Sequence, residues 1–500
     1  MGISGKSDGS DPDAVKSLIR SSPWAVVETF IVIFATLTNT IVLSRILQPV
    51  EFGMAAIALS VATIVQTLLL GGFGPALIRI GAEWNTELAK QVYAVVLVAA
   101  CAGAGLCSAI ALPVSHLFAS PNMYPLILGS SISILFFGIA TFGTSLMVRD
   151  LKFQQIALMT LVAKSISIAL SILTALLGGG SWALIVGQVA FVFVQSLWVM
   201  VFVLGSLRPA IPKQGSVSFL QTSFLIVAEN AVTMITVRMF TIYVGYWYGL
   251  ANLGLINYSL RLVDELGSIL VGTLNRVGVA YFSRVRDSSQ PMSEAFSVTT
   301  YIATLIGAPI FMGLFVVIDE IIIILSGETW IAAIPVAKVL CLYWIARVTR
   351  IGTSPIFKAL NKQSYAISIS WVVLVYLVIA SILVRDLDFI YVVAVFAARP
   401  LVSLPLGVWA MWRLTGASFV EQFAALMQPL LFAGIMLIVL EGFVANQITH
   451  LADWESLIVK VAVGAAIYLS LTALFDRKRI LRLPDLLTGQ VSLNARSPSK

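Results

Sequence analysis

The sequence predicts an all-α protein that crosses a membrane many times, and three observations carry that prediction. Apolar residues fill 59% of the 500 positions and charged residues only 11%, against roughly 25% charged in soluble proteins. Apolar runs of about 20 residues, enough for a helix to cross hydrocarbon, recur from Trp24 almost to the C-terminus. Lysine and arginine gather in alternate loops between those runs, the distribution expected where translocating a cation is disfavoured.

The windows give about fourteen spans, at 24–47, 52–78, 92–114, 124–147, 153–177, 182–204, 219–243, 253–282, 296–317, 331–356, 366–384, 390–411, 423–443 and 457–474. The first follows a polar stretch, residues 1–22, rich in Gly, Ser and Asp. That stretch lacks the basic-then-apolar order of a cleaved signal and is expected to be a cytoplasmic tail. Lys6 stands where a myristoylation signal takes Ser or Thr, so no such anchor is expected. The second, eighth and tenth windows exceed a straight crossing and should tilt, kink or extend past the membrane, with Pro309 and Pro335 as kink points. Gly178, Gly179 and Gly180 form the turn between the fifth and sixth spans, and no phosphate-loop pattern accompanies them. Trp24, Trp182, Trp247, Trp330, Trp412 and Trp454 lie at or near span ends, where the ring anchors at the interface.

Loop charge sets the orientation. Lys6, Lys16, Arg20, Arg79, Lys90, Arg149, Lys152, Arg208, Lys213, Arg284, Arg286, Lys358, Lys362, Arg413, Arg477, Lys478, Arg479 and Arg482 fall in one set of loops, hence the cytoplasmic one. The opposite loops hold little beyond Arg45 and Arg385 and carry Asp319, Glu320, Glu328, Asp386, Asp453 and Glu455. An even number of spans then puts both termini inside. An internal duplication also shows. LMVRDLKFQQIA at 146–157 and PIFKALNKQSYA at 355–366 each set two cations before the next span, six spans apart. RILQPVEFGMAAIALS at 45–60 and YWYGLANLGLINYSL at 246–260 repeat that offset. The expected organisation is a tail (1–22), two six-helix lobes (23–206 and 217–413), a trailing helix pair (420–475) and a basic cytoplasmic tail (476–500). Transporters built of such repeats place their substrate between the halves.

Covalent chemistry finds no foothold. Cys101, Cys107 and Cys341 fall in apolar runs, so neither a disulfide framework nor a thiolate metal site is expected, and His116 and His450 have no metal-ligand spacing around them. No nucleophile with a base and an orienting acid lies outside the spans. The chain is therefore read as a non-enzyme without metal or cofactor. Its formal charge of +7 follows from orientation, and nucleic acid is not an expected partner.

Ionisable groups inside a bilayer cost at least about 2.5 kcal/mol each, so each needs a partner or a purpose. Roughly nine cations (Lys164, Arg238, Arg261, Arg276, Lys338, Arg347, Arg350, Arg399, Lys460) stand against about five acids (Glu28, Glu229, Asp264, Glu265, Glu441) within the spans. An excess of cations facing a cavity suits an anionic cargo, and arginine suits phosphate by its forked geometry. In the eighth span Asn257, Arg261, Asp264 or Glu265, Ser268, Gly272 and Asn275 form one polar stripe at helical spacing. The competing reading is a local salt bridge from Arg261 to Asp264 or Glu265. Tyr343, Arg347, Arg350 and Ser354 share a face of the tenth span that leads to Lys358. Snorkelling of Arg350 to the interface is its bland alternative. Glu28, Glu229, Asp264 and Glu265 are the acids available to carry a coupling proton or sodium ion.

RILQPVEFGMAAIAL after the first span, GFGPALIR at 72–79, LMVRDLKF after the fourth span, GGGSWALIVGQV at 178–189 and SGETWIAAIPVAKVL at 326–340 together resemble the Wzx-type polysaccharide flippases. These belong to the multidrug/oligosaccharidyl-lipid/polysaccharide exporter superfamily, and the exopolysaccharide and colanic-acid branch is the most similar. The resemblance covers about the first 410 residues. It implies two six-helix lobes around a cavity in the bacterial inner membrane. It further implies polyprenyl-pyrophosphate-linked oligosaccharide as cargo, delivered to the periplasmic face for exopolysaccharide or lipopolysaccharide assembly. A polysaccharide polymerase and a chain-length regulator are implied neighbours in the membrane. By helix and face, Arg238, Arg261, Arg276 and Arg347, with Arg350 beside them, are where the pyrophosphate would be met. A drug or organic-cation antiporter of the same superfamily would want an acidic cavity, against the cation excess. A membrane polymerase or glycosyltransferase would need a large extramembrane region, against loops of mostly about ten residues or fewer.

Overall fold

The computed structural model describes residues 12–79, 86–205, 208–211, 214–286, 291–448 and 450–477. Among the described residues there are helices and turns but no strand. The helices are α1 (Pro12–Ile46), α2 (Pro49–Leu70), α3 (Phe73–Arg79), α4 (Thr86–Leu117), α5 (Met123–Arg149), α6 (Phe153–Leu176), α7 (Trp182–Val199), α8 (Gln214–Arg286), α9 (Met292–Ser326), α10 (Ile334–Val348), α11 (Thr353–Ala359), α12 (Gln363–Leu383), α13 (Phe389–Ala397), α14 (Arg399–Thr415), α15 (Phe419–Val439), α16 (Ala445–Gln447) and α17 (Asp453–Phe475). Twelve helices among the described residues are long and apolar enough to cross a membrane, and the chain is an all-α, multi-pass membrane protein. The windows at 219–243 and 253–282 both lie in α8, which breaks at Gly249 (φ 85°, ψ 164°). α1 begins at Pro12, inside the stretch expected as a tail.

Several long windows are broken helices. The second splits at Gly71 and Gly72 into α2 and α3. The tenth is a 3-10 turn (Glu328–Ala333) followed by α10, a turn, and α11. Pro335, expected to kink a continuous helix, instead stands in the first turn of α10, where its missing N–H costs nothing. Pro309 does lie inside α9. The duplicated cationic segments fold alike. The amides of Asp150, Leu151 and Lys152 bond the carbonyls of Leu146, Val148 and Met147, and those of Leu360, Asn361 and Lys362 bond Ile356, Lys358 and Phe357 in the same pattern. Leu151 (φ 56°) and Asn361 (φ 54°) take the left-handed conformation at equivalent places.

The chain forms two compact units, Met1–Gly254 and Leu255–Lys500. In the first, α5 is the inner helix, with 67% of its span buried against 17% for α1. α4, α7, α2 and α3 surround it, and α1 rests on α6. Helices in lipid gain little from apolar contact alone, so hydroxyls and small residues join them. Ser130 Oγ donates to Ala58 O (3.2 Å), Gln66 Nε2 to Ser133 Oγ (3.1 Å), and Ser167 and Ser171 Oγ to Gly187 and Ala183 O (2.7 Å each). The other duplicated pair of segments meets backbone to backbone. A Cβ on Gly53 would fall 1.9 Å from Leu250 O, and one on Gly254 would fall 1.8 Å from Pro49 O. Only glycine permits that approach on either side.

In the second unit α9 is central and packs on α10, α15 and α17. Trp330, expected as an interfacial anchor, is fully buried there. Its ring lies 4.2 Å from that of Tyr258, whose hydroxyl bonds Ser326. The other five tryptophans of that set are exposed. Asp319 and Glu320, expected in a loop, lie within α9 and pair with cations from other helices. Lys338 Nζ reaches Asp319 at 2.8 Å, while Glu320 pairs with Lys460 and accepts from Ser456 Oγ (2.9 Å). Two of the in-membrane cations are thereby neutralised. Tyr301 donates to Asp476, and Tyr468 Oη to Leu305 O (2.8 Å), fastening the end of α17 to α9. α15 starts on a capping box in which Ser418 Oγ accepts from Glu421 N (3.2 Å) and Ser418 N donates to Glu421 Oε2 (2.9 Å), a reciprocal closure of its first turn.

These contacts give two expectations. Gly53→Val or Gly254→Val should each destabilise the purified protein by about 1–3 kcal/mol, the usual cost of overpacking. Gly105→Ala, where a Cβ meets nothing within 4 Å in the interior of α4, should hold or raise the thermal midpoint, since alanine is the better helix former. Lys460→Met strands the buried Glu320 carboxylate and should cost about 3–5 kcal/mol. The double variant Glu320→Gln with Lys460→Met should recover most of it, and an equal loss in both would show that the pair does not act as a unit.

Candidate functional site

Helical periodicity in α10 sets up the site. Tyr343 and Arg347 stand four residues apart on one face, and Trp344 lies beside them. Arg347 Nη1 donates to Tyr343 Oη at 2.7 Å. Its guanidinium lies 4.5 Å from the Trp344 ring centre and 5.7 Å from that of Tyr343. α14 delivers the second cation at its first residue, where Pro400 follows and pre-sets the helical turn. Arg399 Nε donates to Phe396 O (2.7 Å), and the guanidinium lies over Phe396 (3.4 Å) and Tyr343 (5.2 Å). Tyr343 is therefore common ground for both arginines.

α8 supplies the carboxylate. Trp344 Nε1 donates to Asp264 Oδ1 at 2.5 Å, which sets that carboxylate at the edge of the indole that carries Arg347. Gly267, one turn further along α8, leaves room for the indole, since a Cβ there would fall 2.2 Å from Trp344 Cη2. Phe311 of α9 stacks on the indole at 5.2 Å and 10°. The Trp344 side chain is thus held by Phe311 and Gly267, with Arg347 on its face and Asp264 at its edge.

The electrostatics follow from that arrangement. A guanidinium over an aromatic face gains about 0.5–2 kcal/mol without spending its N–H donors. Arg347 and Arg399 each donate one hydrogen bond within the protein out of five possible. Neither forms an ion pair among the described residues. Two planar cations with donors to spare and one nearby carboxylate make a net-positive ledge suited to a multiply charged oxyanion.

The other sequence candidates go elsewhere. Arg261 Nε donates to Asn257 Oδ1 at 3.1 Å, one turn back in α8, and Glu265 is half-buried on the same helix. Arg350, expected on one track with Arg347, turns to α14 instead, where its guanidinium takes the space that a side chain on Gly407 would need. Its Nη2, Thr300 Oγ1 and Gln422 Oε1 are buried without hydrogen-bond partners around a small pocket of about 10 Å³. Arg238 and Glu28 belong to the first unit, where both are half-buried, and Arg238 Nε has no hydrogen-bond partner among the described residues. The side chains of Glu229 and Arg276 lie outside the described residues. Sequence reasoning counted Arg399 among the in-membrane cations without choosing it, and gave Trp344 no role. The cluster of Tyr343, Trp344 and Arg347 within one turn was the available signal.

Two apolar grooves lie on the units. One of about 410 Å³ runs between α9, α15 and α17, lined by Pro309, Val317, Met436, Gly464 and Leu469 with Lys460 beside them. The other, of about 450 Å³, lies between α1 and α6, with Lys164 facing it. Among the described residues no three His, Cys, Asp or Glu side chains are placed to hold a metal ion.

Comparison with known proteins places the chain. The succinoglycan biosynthesis transport protein ExoT of Rhizobium meliloti is 24% identical over 502 residues, 94% of this chain and 96% of its own. The lipopolysaccharide biosynthesis protein WzxC of Escherichia coli is 22% identical over 334 residues, 66% of this chain and 67% of its own. Among solved structures, the lipid II flippase MurJ in an inward closed conformation matches with a TM-score of 0.74 at 14% identity, over 91% of this chain and 99% of that one. A MOP-superfamily transporter from Pyrococcus furiosus matches at 0.54 and 13% identity, over 80% of this chain and 96% of that one. These likenesses show the fold of a membrane transporter. The family model for polysaccharide biosynthesis proteins matches residues 42–335, more than half of the chain, which therefore belongs to the polysaccharide biosynthesis protein family.

Proposed function

We propose that this transporter flips polyprenyl-pyrophosphate-linked oligosaccharide repeat units from the cytoplasmic to the periplasmic face of a bacterial inner membrane. It does so by alternating access, with both termini cytoplasmic, and supplies exopolysaccharide or lipopolysaccharide assembly. The observation that carries this reading is the arginine pair Arg347 and Arg399, held on aromatic rings with most donors unspent. Arginine's fork matches phosphate oxygens two at a time, and a pyrophosphate offers enough oxygens for both. Arg261 is a further cation of the same unit, Arg238 and Arg276 are kept from the sequence as substrate-binding candidates, and Arg350 packs from the α10–α11 turn against Gly407 of α14. The groove between α9, α15 and α17 suits a prenyl chain, which needs only apolar walls. No bond is made or broken, so positioning and release are the whole task. Glu28, Glu229, Asp264 and Glu265 remain the acids available for proton or sodium coupling. A polymerase and a chain-length regulator receive the product in the same membrane. The names of the relatives, succinoglycan transport and lipopolysaccharide biosynthesis, support the pathway.

Deleting the protein should leave lipid-linked repeat units accumulating on the cytoplasmic side. The wild-type chain should restore export, whereas Arg347→Gln or Arg399→Gln should cut it about tenfold or more, as expected for losing charge-assisted hydrogen bonds of about 1.5–3 kcal/mol, with unchanged membrane levels. Normal export without accumulation in the deletion strain would remove the flippase reading.

A further inference from the structure

We propose that Asp264 is a built-in counter-ion of the Arg347–Arg399 pair: it balances the arginines between cargoes and competes with the cargo's phosphate for them. This rests on the reading of that pair as a phosphate site. Asp264 is tied to the pair through Trp344, the residue whose indole also carries Arg347 on its face. Among the described residues it forms no ion pair with either guanidinium; its Oδ1 accepts from Trp344 Nε1 at 2.5 Å, and Arg347 lies on the face of that same indole at 4.5 Å. The indole is a spacer. It holds the carboxylate within Coulombic reach and outside ion-pair contact.

That distance resolves two opposing demands. A direct carboxylate–guanidinium pair would consume the forked donors a phosphate needs. With no carboxylate at all, two neighbouring cations would repel each other in a medium of low dielectric. Held one indole away, Asp264 offsets part of the charge and leaves the donors open. The charged and titratable groups around the shared indole are Arg347 and Tyr343 from α10 and Arg399 from α14; Arg261 and Glu265 neighbour Asp264 along its own helix, where Arg261 Nε donates to Asn257 Oδ1. The added phosphate charge meets the field of Asp264, which weakens its hold on the arginines. A carrier gains from this, since a cargo bound too firmly is not released on the far side.

The test uses the full-length protein in phosphatidylcholine nanodiscs, titrated with inorganic pyrophosphate by calorimetry at fixed ionic strength. Asp264→Asn removes the charge and keeps the oxygen that accepts from Trp344. It should bind pyrophosphate about tenfold more tightly and export repeat units more slowly in cells. Trp344→Phe removes the spacer's hydrogen bond, frees Asp264 to reach Arg347 and should bind more weakly. If Asp264→Asn binds no more tightly than wild type while Arg347→Gln binds more weakly, the counter-ion role falls and the phosphate site stands. If Arg347→Gln and Arg399→Gln both bind as wild type does, the phosphate site itself falls.

Discussion

Backbone in hydrocarbon has no water to bond, so each N–H and C=O must be satisfied along its own segment or covered by protein. The architecture follows from this. Regular segments are helical, and the interruptions come where neighbouring protein closes over them. At the α2–α3 break Gly71 N bonds Thr67 O (3.2 Å) and Ala76 N bonds Gly72 O (3.0 Å). α8 lies so close that a Cβ on Gly72 would fall 2.0 Å from Ser223 O. At the α10–α11 break Arg350, Ile351 and Thr353 donate to carbonyls three residues back, a tighter turn that keeps the amides paired. Each break lets a helix change direction without exposing backbone to lipid.

Side-chain charge obeys the same economy, and lysine and arginine meet it differently. Lys338 and Lys460 are compact point charges, and each has a carboxylate at contact. Arg347 and Arg399 are planar and weakly hydrated, so aromatic faces hold them without using their donors. The lysines are spent on holding helices together, joining α10 and α17 to α9. The arginines remain available to a ligand. Counting cations could not separate the two groups, because residue type alone does not say whether a carboxylate waits on another helix.

The spans were legible because hydropathy is local and long apolar runs have few alternatives. So was the duplication, since two closely spaced cations before the next span, Arg149 and Lys152 in one segment and Lys358 and Lys362 in the other, mark one turn conformation made twice. Trp330 was misread because a tryptophan near a span end looks the same whether lipid or Tyr258 lies beside it. Asp319 and Glu320 looked like loop residues because a pair of acids ends an apolar window, although their partners Lys338 and Lys460 make them affordable inside the unit. Pro335 misled for a related reason: the apolar window that opens at 331 hides the change from the 3-10 turn Glu328–Ala333 to α10, which starts only at Ile334. The arginine ledge was half legible. Tyr343 and Arg347 share a helical face, whereas Arg399 arrives from a separate helix that only folding brings near.

The reciprocal glycine contacts give the duplication a physical purpose. Gly53 lies four residues after Pro49, and Gly254 four after Leu250, and each glycine faces the other segment's carbonyl. Such a pairing is the signature of a two-fold relation, in which one contact is made twice by the same surface. A contact built of backbone against backbone has no side chains to interlock and no rotamers to rearrange. It can therefore form and separate at little conformational cost, whereas the buried ion pairs of α9 would leave charges stranded if pulled apart.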